Sequence, residues 1–302
     1  MQNTADRVDN AQKAGVMIPA FNVPYLPMVE PVIRAVVDQD SCALIETARL
    51  EWIKFEARSP AAVMEEFTKW NEPDYVRIHL DHVPVIDEDN QRVDYLSIIK
   101  EAIELGYQSV MVDGSRLGLE ENIAATRQVV ALAHEAGILC EAELGTMLGH
   151  EAGPPPPYEE LFESGLGFTG VEEAERFVRE TGCDWLSVAI GNIHGAVSGV
   201  LKDKKKVEAR LNLDRLERLR QATGIPLVLH GGSGVKREYL LAAIKRGIAK
   251  VNIGAEIRQA YESALRESGG SVAAAQDAVY ARTCWLIRDY FGLAGTRRLV
   301  VG

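Results

Sequence analysis

The fold class the sequence predicts is α/β, a closed (β/α)8 barrel, and three observations predict it. Eight short apolar runs recur along the chain, longer amphipathic stretches separate them, and polar or ionisable residues gather where the runs end. Strands that are almost continuously apolar belong to a parallel sheet covered on both faces. A doubly wound open sheet is the alternative that the same alternation allows. At 302 residues the chain is long enough for two domains, but barrels of this size are routinely one, so residues 1–302 are expected to form a single domain.

In chain order, the predicted strands are Val16–Asn22, Cys42–Thr47, Val76–Asp81, Ser109–Asp113, Leu139–Glu143, Trp185–Ile190, Pro226–His230 and Ala249–Ile253. Helical spacing marks Ser97–Leu105, Glu120–Ala136, Glu172–Glu180 and Leu213–Gln221. Thr169 and Glu172 have the spacing of a capping box for a helix starting near Val171. Gly106, Gly137, Gly182, Gly224 and Gly247 follow helical stretches, where a left-handed residue would end a helix. One connection is odd. Gly149–Gly167, GHEAGPPPPYEELFESGLG, is too long for a routine βα loop, and we expect it to be a long mobile loop after strand five.

Composition narrows the function. The chain is 47% hydrophobic and 25% charged, an ordinary globular balance. Its 33 Lys+Arg against 44 Asp+Glu give a net charge of -11, which offers no general attraction for nucleic acid or an anionic membrane. The 4 cysteines form no CxxC pair and read as reduced thiols. A polar N-terminus without the apolar core of a signal peptide adds to the expectation of a cytoplasmic protein.

In a parallel barrel, chemistry sits where the strands end, because the βα loops open on one face. His82, His194 and His230, three of the 6 histidines, fall at or just after strand ends. Neutral imidazoles from three strands suit Zn²⁺ with one position open to substrate; the alternative is histidines that only cap strands. His79 is expected to pack outward, His134 to lie on a helix face, and His150 to be a solvated loop residue. Asp81 precedes His82, so their side chains are expected to leave in different directions, with Asp81 either a proton donor and acceptor or a carboxylate that orients an imidazole. Asp113 and Glu143 suit a second cation, a grip on the histidines, or plain ion pairing. Glu151 is a loop carboxylate that could swing in. Glycine-rich turns after strands six and seven, with Ser233, suit phosphate or another oxyanion.

The pieces PAFNV, HLDH, VMVDGSRLGLEENI, CEAELG, AIGNIHG, LVLHGGSG and KVNIGAEI, with the tail FGLAGTRRL, cover most of the chain. In that order they resemble the class II, metal-dependent ketose-bisphosphate aldolases, a family that includes fructose- and tagatose-bisphosphate aldolases. The resemblance implies catalytic zinc on His82, His194 and His230, and a second divalent ion or a switched zinc position at Asp113 and Glu143. It implies a monovalent cation, K⁺ or Na⁺, beneath the phosphate cradle. Asp81 would handle the hydroxyl proton during C–C cleavage, and Glu151 the carbon-bound proton of the ketone half. Gly195, Gly231 and Ser233 match the phosphate cradle, Asn252 would lie beside the reacting carbons, and Asn22 of PAFNV is a further candidate site residue. Arg288 in WLIRD matches an arginine that relatives send into a neighbouring subunit, and relatives form homodimers or homotetramers.

Three departures concern the substrate. Gly254-Ala255 stands where relatives carry an Asp or Ala followed by Thr, and Glu46–Arg49 replaces a Gln followed closely by Ser. Leu148 and Ala152 alter the loop before the acidic cluster. Arg49 offers a bidentate grip on a carboxylate or sulfonate, although a solvated surface arginine is the favoured reading. The expected function is reversible retro-aldol cleavage of a phosphorylated ketose, giving dihydroxyacetone phosphate or an analogue and an aldehyde. The alternatives are an aldolase for a ketose monophosphate or modified sugar acid, a catalytically impaired zinc protein that binds a sugar phosphate, and an unrelated barrel metallohydrolase.

Overall fold

Eight parallel strands close on themselves in sequence order, each paired with the next and the last with the first. They are β1 Ile18–Asn22, β2 Ala43–Ala48, β3 Val76–Pro84, β4 Ser109–Asp113, β5 Leu139–Leu144, β6 Trp185–Val188, β7 Leu227–Leu229 and β8 Ile248–Ile253. The computed structural model describes residues 4–145, 158–192 and 209–302. Of the predicted positions, His150, Glu151, His194 and Gly195 lie outside the described residues, as do the side chain of Ser233 and most of the first half of the long loop. The second half of that loop is not irregular: Tyr158–Ser164 is helical. It is pinned by the Tyr158 hydroxyl, which accepts from Arg210 N–H at 2.6 Å and donates to the Arg210 carbonyl at 2.9 Å.

Period-two alternation divides each strand between two cores. Phe21, Ile45, Ile78, Leu80, Val110, Val112, Ala142, Leu186 and Val251 face outward and pack under the helical ring. Ile18, Ala20, Leu44, Trp185, Val228 and Ala249 face inward and fill the lower barrel, which Val8 and Ala11 of the Thr4–Lys13 helix and Val300 close from below. Glycines in the left-handed region end helices as predicted, at Gly106 (φ 93°), Gly182 (φ 69°) and Gly224 (φ 66°). The predicted capping box is not formed. Gly170 caps the Val171–Thr181 helix, and Thr169 instead ties β5 to the end of β6, its hydroxyl donating to Leu144 O at 2.5 Å and accepting from Ala189 N–H at 2.8 Å. No helix among the described residues is long and apolar enough to cross a membrane.

Two register shifts shape the upper barrel. Between β3 and β4 the pairing steps from Leu80–Val110 to Val83–Val112, so β3 carries one extra residue there. Between β7 and β8 it steps from Leu227–Ile248 to Val228–Lys250. Such bulges re-aim side chains at barrel rims.

Candidate metal centre

The β3 bulge decides the site. Consecutive residues of a regular strand point to opposite faces, yet here Asp81 and His82 turn to the same space, together with His230 from the end of β7; one ligand atom from each lies within 4.8 Å of the other two. The expectation that Asp81 and His82 diverge is therefore corrected by the extra residue. His82 and His230 stand edge to face with ring centroids 4.5 Å apart. Asp113 and Glu143, from the ends of β4 and β5, complete the cluster. Nδ1 of His82 lies 3.1 Å from Asp113 Oδ2 and 3.7 Å from Glu143 Oε2, and Nδ1 of His230 lies 3.5 Å from the same Glu143 oxygen.

That oxygen is buried and accepts no hydrogen bond among the described residues. A desolvated acceptor without a donor is costly unless something else meets it. Nitrogen and oxygen ligands bound at ~2.1 Å in a tetrahedron stand about 3.4 Å apart, close to the two Glu143 separations. A donor set of two imidazoles and a carboxylate, with an orphaned oxygen between them, fits a divalent ion such as Zn²⁺. The electrostatics agree. Burial pulls the pKa of His82 down, but Asp81, Asp113 and Glu143 outweigh it and hold the imidazole well above its usual value, so the pocket favours a positive charge. Burial, and then repulsion from Asp113, push Glu143 up. Burial and the neighbouring His82 push His230 down, toward the neutral form that ligates.

Asp81 is held from both sides. Asn22 Nδ2 donates to Oδ2 at 2.9 Å and Asn252 Nδ2 donates to Oδ1 at 3.0 Å. Burial would raise its pKa, but the positive neighbours His82 and Lys250 win and keep it below the usual carboxylate range. Asp113 is fixed by its own turn, accepting from Ser115 N–H at 3.0 Å and Ser115 Oγ at 2.6 Å. After β7 the chain enters Gly231 at φ 71°, and a Cβ on Gly232 would run into Val251. Gly254 lies against Asn22 and opens the Ala255–Glu267 helix, whose start carries no side-chain cap. The Gly231 and Gly254 turns thus leave backbone donors near the mouth.

Other predicted positions resolve differently. His79 does not pack outward: it is buried inside the barrel, its Nδ1 2.8 Å from Ser109 Oγ, because residues 77, 79 and 81 share the inner face. Burial, with Lys250 nearby, drives it down to about 3, so it is neutral. His134 is on a helix face as expected and pairs with Asp184. Arg49 is not a solvated arginine; only 20% of its side chain is exposed, and Nη1 meets Asp87 Oδ2 at 3.4 Å at the end of β2. Arg288 is exposed and paired with Asp289. Sequence reading assigns no inner-face role to Glu46, Glu141 or Lys250, buried charges one layer below the mouth. The available signal was parity: Glu141 is two residues before Glu143, and Lys250 two before Asn252.

Residues 2–290 match the family described as Fructose-bisphosphate aldolase class-II. The chain belongs to that family. It is 36% identical to the fructose-bisphosphate aldolase of Streptococcus pneumoniae over 266 residues, covering 86% of this chain and 80% of that one. It is 33% identical to the fructose-bisphosphate aldolase of Giardia intestinalis over 279 residues, covering 85% and 79%. Of solved structures, the YdjI aldolase from Escherichia coli K12 superposes with a TM-score of 0.76 at 29% identity, covering 98% of this chain and 100% of that one. A putative fructose-1,6-bisphosphate aldolase from Coccidioides immitis superposes with a TM-score of 0.77 at 28% identity, covering 98% of each. The chain is accordingly an enzyme of the class II aldolase type, and the side-chain groups at its barrel mouth are of the kind that holds a divalent metal.

Proposed function

We propose that this class II aldolase is zinc-dependent and reversibly cleaves a phosphorylated ketose into dihydroxyacetone phosphate, or a close analogue, and an aldehyde. The observation that carries the reading is the meeting of His82, His230 and the orphaned Glu143 oxygen beside an Asp81 clamped by two asparagines. His82 and His230 would hold the ion, with Glu143 and Asp113 as further or alternating ligands and His194 as the third imidazole. A Zn²⁺ bound there supplies Lewis-acid polarisation of the ketone.

The remaining chemistry belongs to the chain. Asp81 accepts the hydroxyl proton of the departing aldehyde half as the C–C bond breaks. The electron pair of that bond passes to the three-carbon half as an enediolate, and a proton returned to carbon completes the reaction. Its low pKa keeps Asp81 an acceptor at neutral pH, and Asn22 and Asn252 fix the plane of its carboxylate. Glu151 is the proposed source of the carbon-bound proton. The Gly231 turn and the uncapped helix start after Gly254 would supply backbone N–H groups for phosphate, with Ser233 and Gly195 completing the cradle, and a K⁺ or Na⁺ beneath it would add positive charge.

Arg49, half-buried just after β2 and held by Asp87 from the turn after β3, is a cation in place of the Gln and Ser of relatives and carries a second reading of the substrate alone, in which the aldehyde half bears an anion other than phosphate or the ketose is a monophosphate. One experiment tests the function. Purified protein should hold about one zinc per chain, lose retro-aldol activity on chelation and recover it with added Zn²⁺. His82→Ala and His230→Ala should each bind zinc so much more weakly that the purified protein no longer retains a full equivalent; full metal content in both overturns the assignment. A condensation panel of phosphorylated, carboxylated and neutral aldehydes with dihydroxyacetone phosphate then separates the two substrate readings.

A further inference from the structure

Directly below the mouth lies a second polar layer, and it connects to the site through one side chain. His230 Nε2 is 2.8 Å from Glu141 Oε1, and Lys250 Nζ donates to Glu141 Oε2 at 2.8 Å. Lys250 also lies 3.2 Å from Glu46 Oε2, and His79 Nε2 lies 3.6 Å from Glu141 Oε2. All of these side chains are at most 1% exposed. Evolution rarely leaves a lysine and two glutamates inside a barrel where leucines would pack more cheaply, because desolvating such ions costs several kcal/mol each.

We infer that Glu141 and Lys250 are positioning residues for His230, setting which ring nitrogen carries the proton and so which one is offered to the metal. The inference rests on the proposed role of His230 as a ligand. An ionised carboxylate can only accept, so Nε2 of His230 must be the protonated nitrogen and Nδ1 keeps its lone pair. Nδ1 is the nitrogen near Glu143 Oε2, at 3.5 Å, on the side where His82 also stands. Lys250 supplies the counter-charge for Glu141 and, by bonding its second oxygen, fixes the carboxylate plane. The strand register makes this geometry: the β7–β8 shift sets Val228 beside Lys250, which brings Lys250 onto the inner face in line with Asn252.

The test is zinc affinity, measured by competition with a chromophoric chelator on the folded, full-length protein. Glu141→Gln keeps the shape and leaves Lys250 paired with Glu46, but its carboxamide no longer dictates the tautomer. Zinc affinity should fall 10–100-fold relative to wild type. Lys250→Met should weaken it in the same direction, and if that variant fails to fold, Glu141→Gln still decides. A residue acting through His230 must lose its effect when His230 is absent, so in a His230→Ala background Glu141→Gln should change affinity by less than about threefold. Wild-type protein that binds no zinc sinks the metal reading itself, and the inference with it. Wild-type binding with Glu141→Gln unaltered, or an equal loss in both backgrounds, overturns the inference alone.

Discussion

The lower and upper halves of the barrel interior are lined by the same strands and made of opposite materials. Below, Ile18, Leu44, Trp185 and Val228 pack as a dry plug sealed by the Thr4–Lys13 helix. One or two inward positions higher on those strands stand Asn22, Glu46 and His230, joined by His79 and Asp81 of β3, Glu141 and Glu143 of β5, and Lys250 and Asn252 of β8. The same eight strands run through both layers, and apart from the register shifts of β3 and β8 the difference lies in side chains. The plug is where burial stabilises the fold. In the polar half, buried charge must be matched residue by residue, and each match fixes the orientation of a group at the mouth. Stability and chemistry should therefore separate along the barrel axis.

The largest effect is expected at Asp81. Asp81→Asn removes the proton acceptor and sets a carboxamide NH₂ against the amides of Asn22 and Asn252, two donors that need acceptors. We expect kcat to fall about 10³-fold or more, at the upper end of general acid–base contributions. A fall of less than tenfold in steady-state cleavage would remove Asp81 from the reaction. The matching change in the plug is Leu44→Ala. It should cost about 2–5 kcal/mol in urea unfolding while leaving kcat within a few-fold of wild type. Should Leu44→Ala cripple kcat as deeply as Asp81→Asn, the two halves are coupled and the separation fails.

How much of this was legible follows from what a single strand can encode. The apolar run Ser109–Asp113 and the helix Leu213–Gln221 were readable because hydrophobic period and composition are local, and the strands and helices found lie close to those predicted. The polar strand ends were readable too, since a barrel gathers them on one face. What escaped depends on register. That His79 faces inward, and that Asp81 and His82 point together, is fixed by the pairing of β3 with its neighbours and by the bulge after Leu80. Thr169 followed by Glu172 satisfies a capping rule on paper, but the hydroxyl finds better partners in two strand ends that sequence cannot place beside it. The roles of Glu141 and Lys250 are not legible in either strand alone, because each sits among apolar neighbours and only the opposite partner explains it.

Glu51 gives the smallest and most pH-specific of these effects. It is buried in the short Arg49–Lys54 helix and accepts from Ala48 N–H at 2.9 Å. Burial pushes its carboxyl up to about 8; the Ala48 hydrogen bond opposes that and the Asp81 charge adds to it. Below about pH 4.5 the folded and unfolded chains both hold the proton, so Glu51 costs nothing. Between about pH 4.5 and 8 the unfolded chain releases the proton while the folded one keeps it, and stability declines as pH rises; above 8 the penalty is complete. Glu51→Gln keeps an acceptor for Ala48 and removes the titration. The variant should match wild type at pH 4 and exceed it by at least ~1 kcal/mol at pH 8, in unfolding curves recorded side by side so that every other group cancels. A difference that stays flat across that range, or favours wild type at pH 8, would show that Glu51 is ionised in the fold and that the polar half reaches out to the β2 rim as a charged pair rather than a neutral acid.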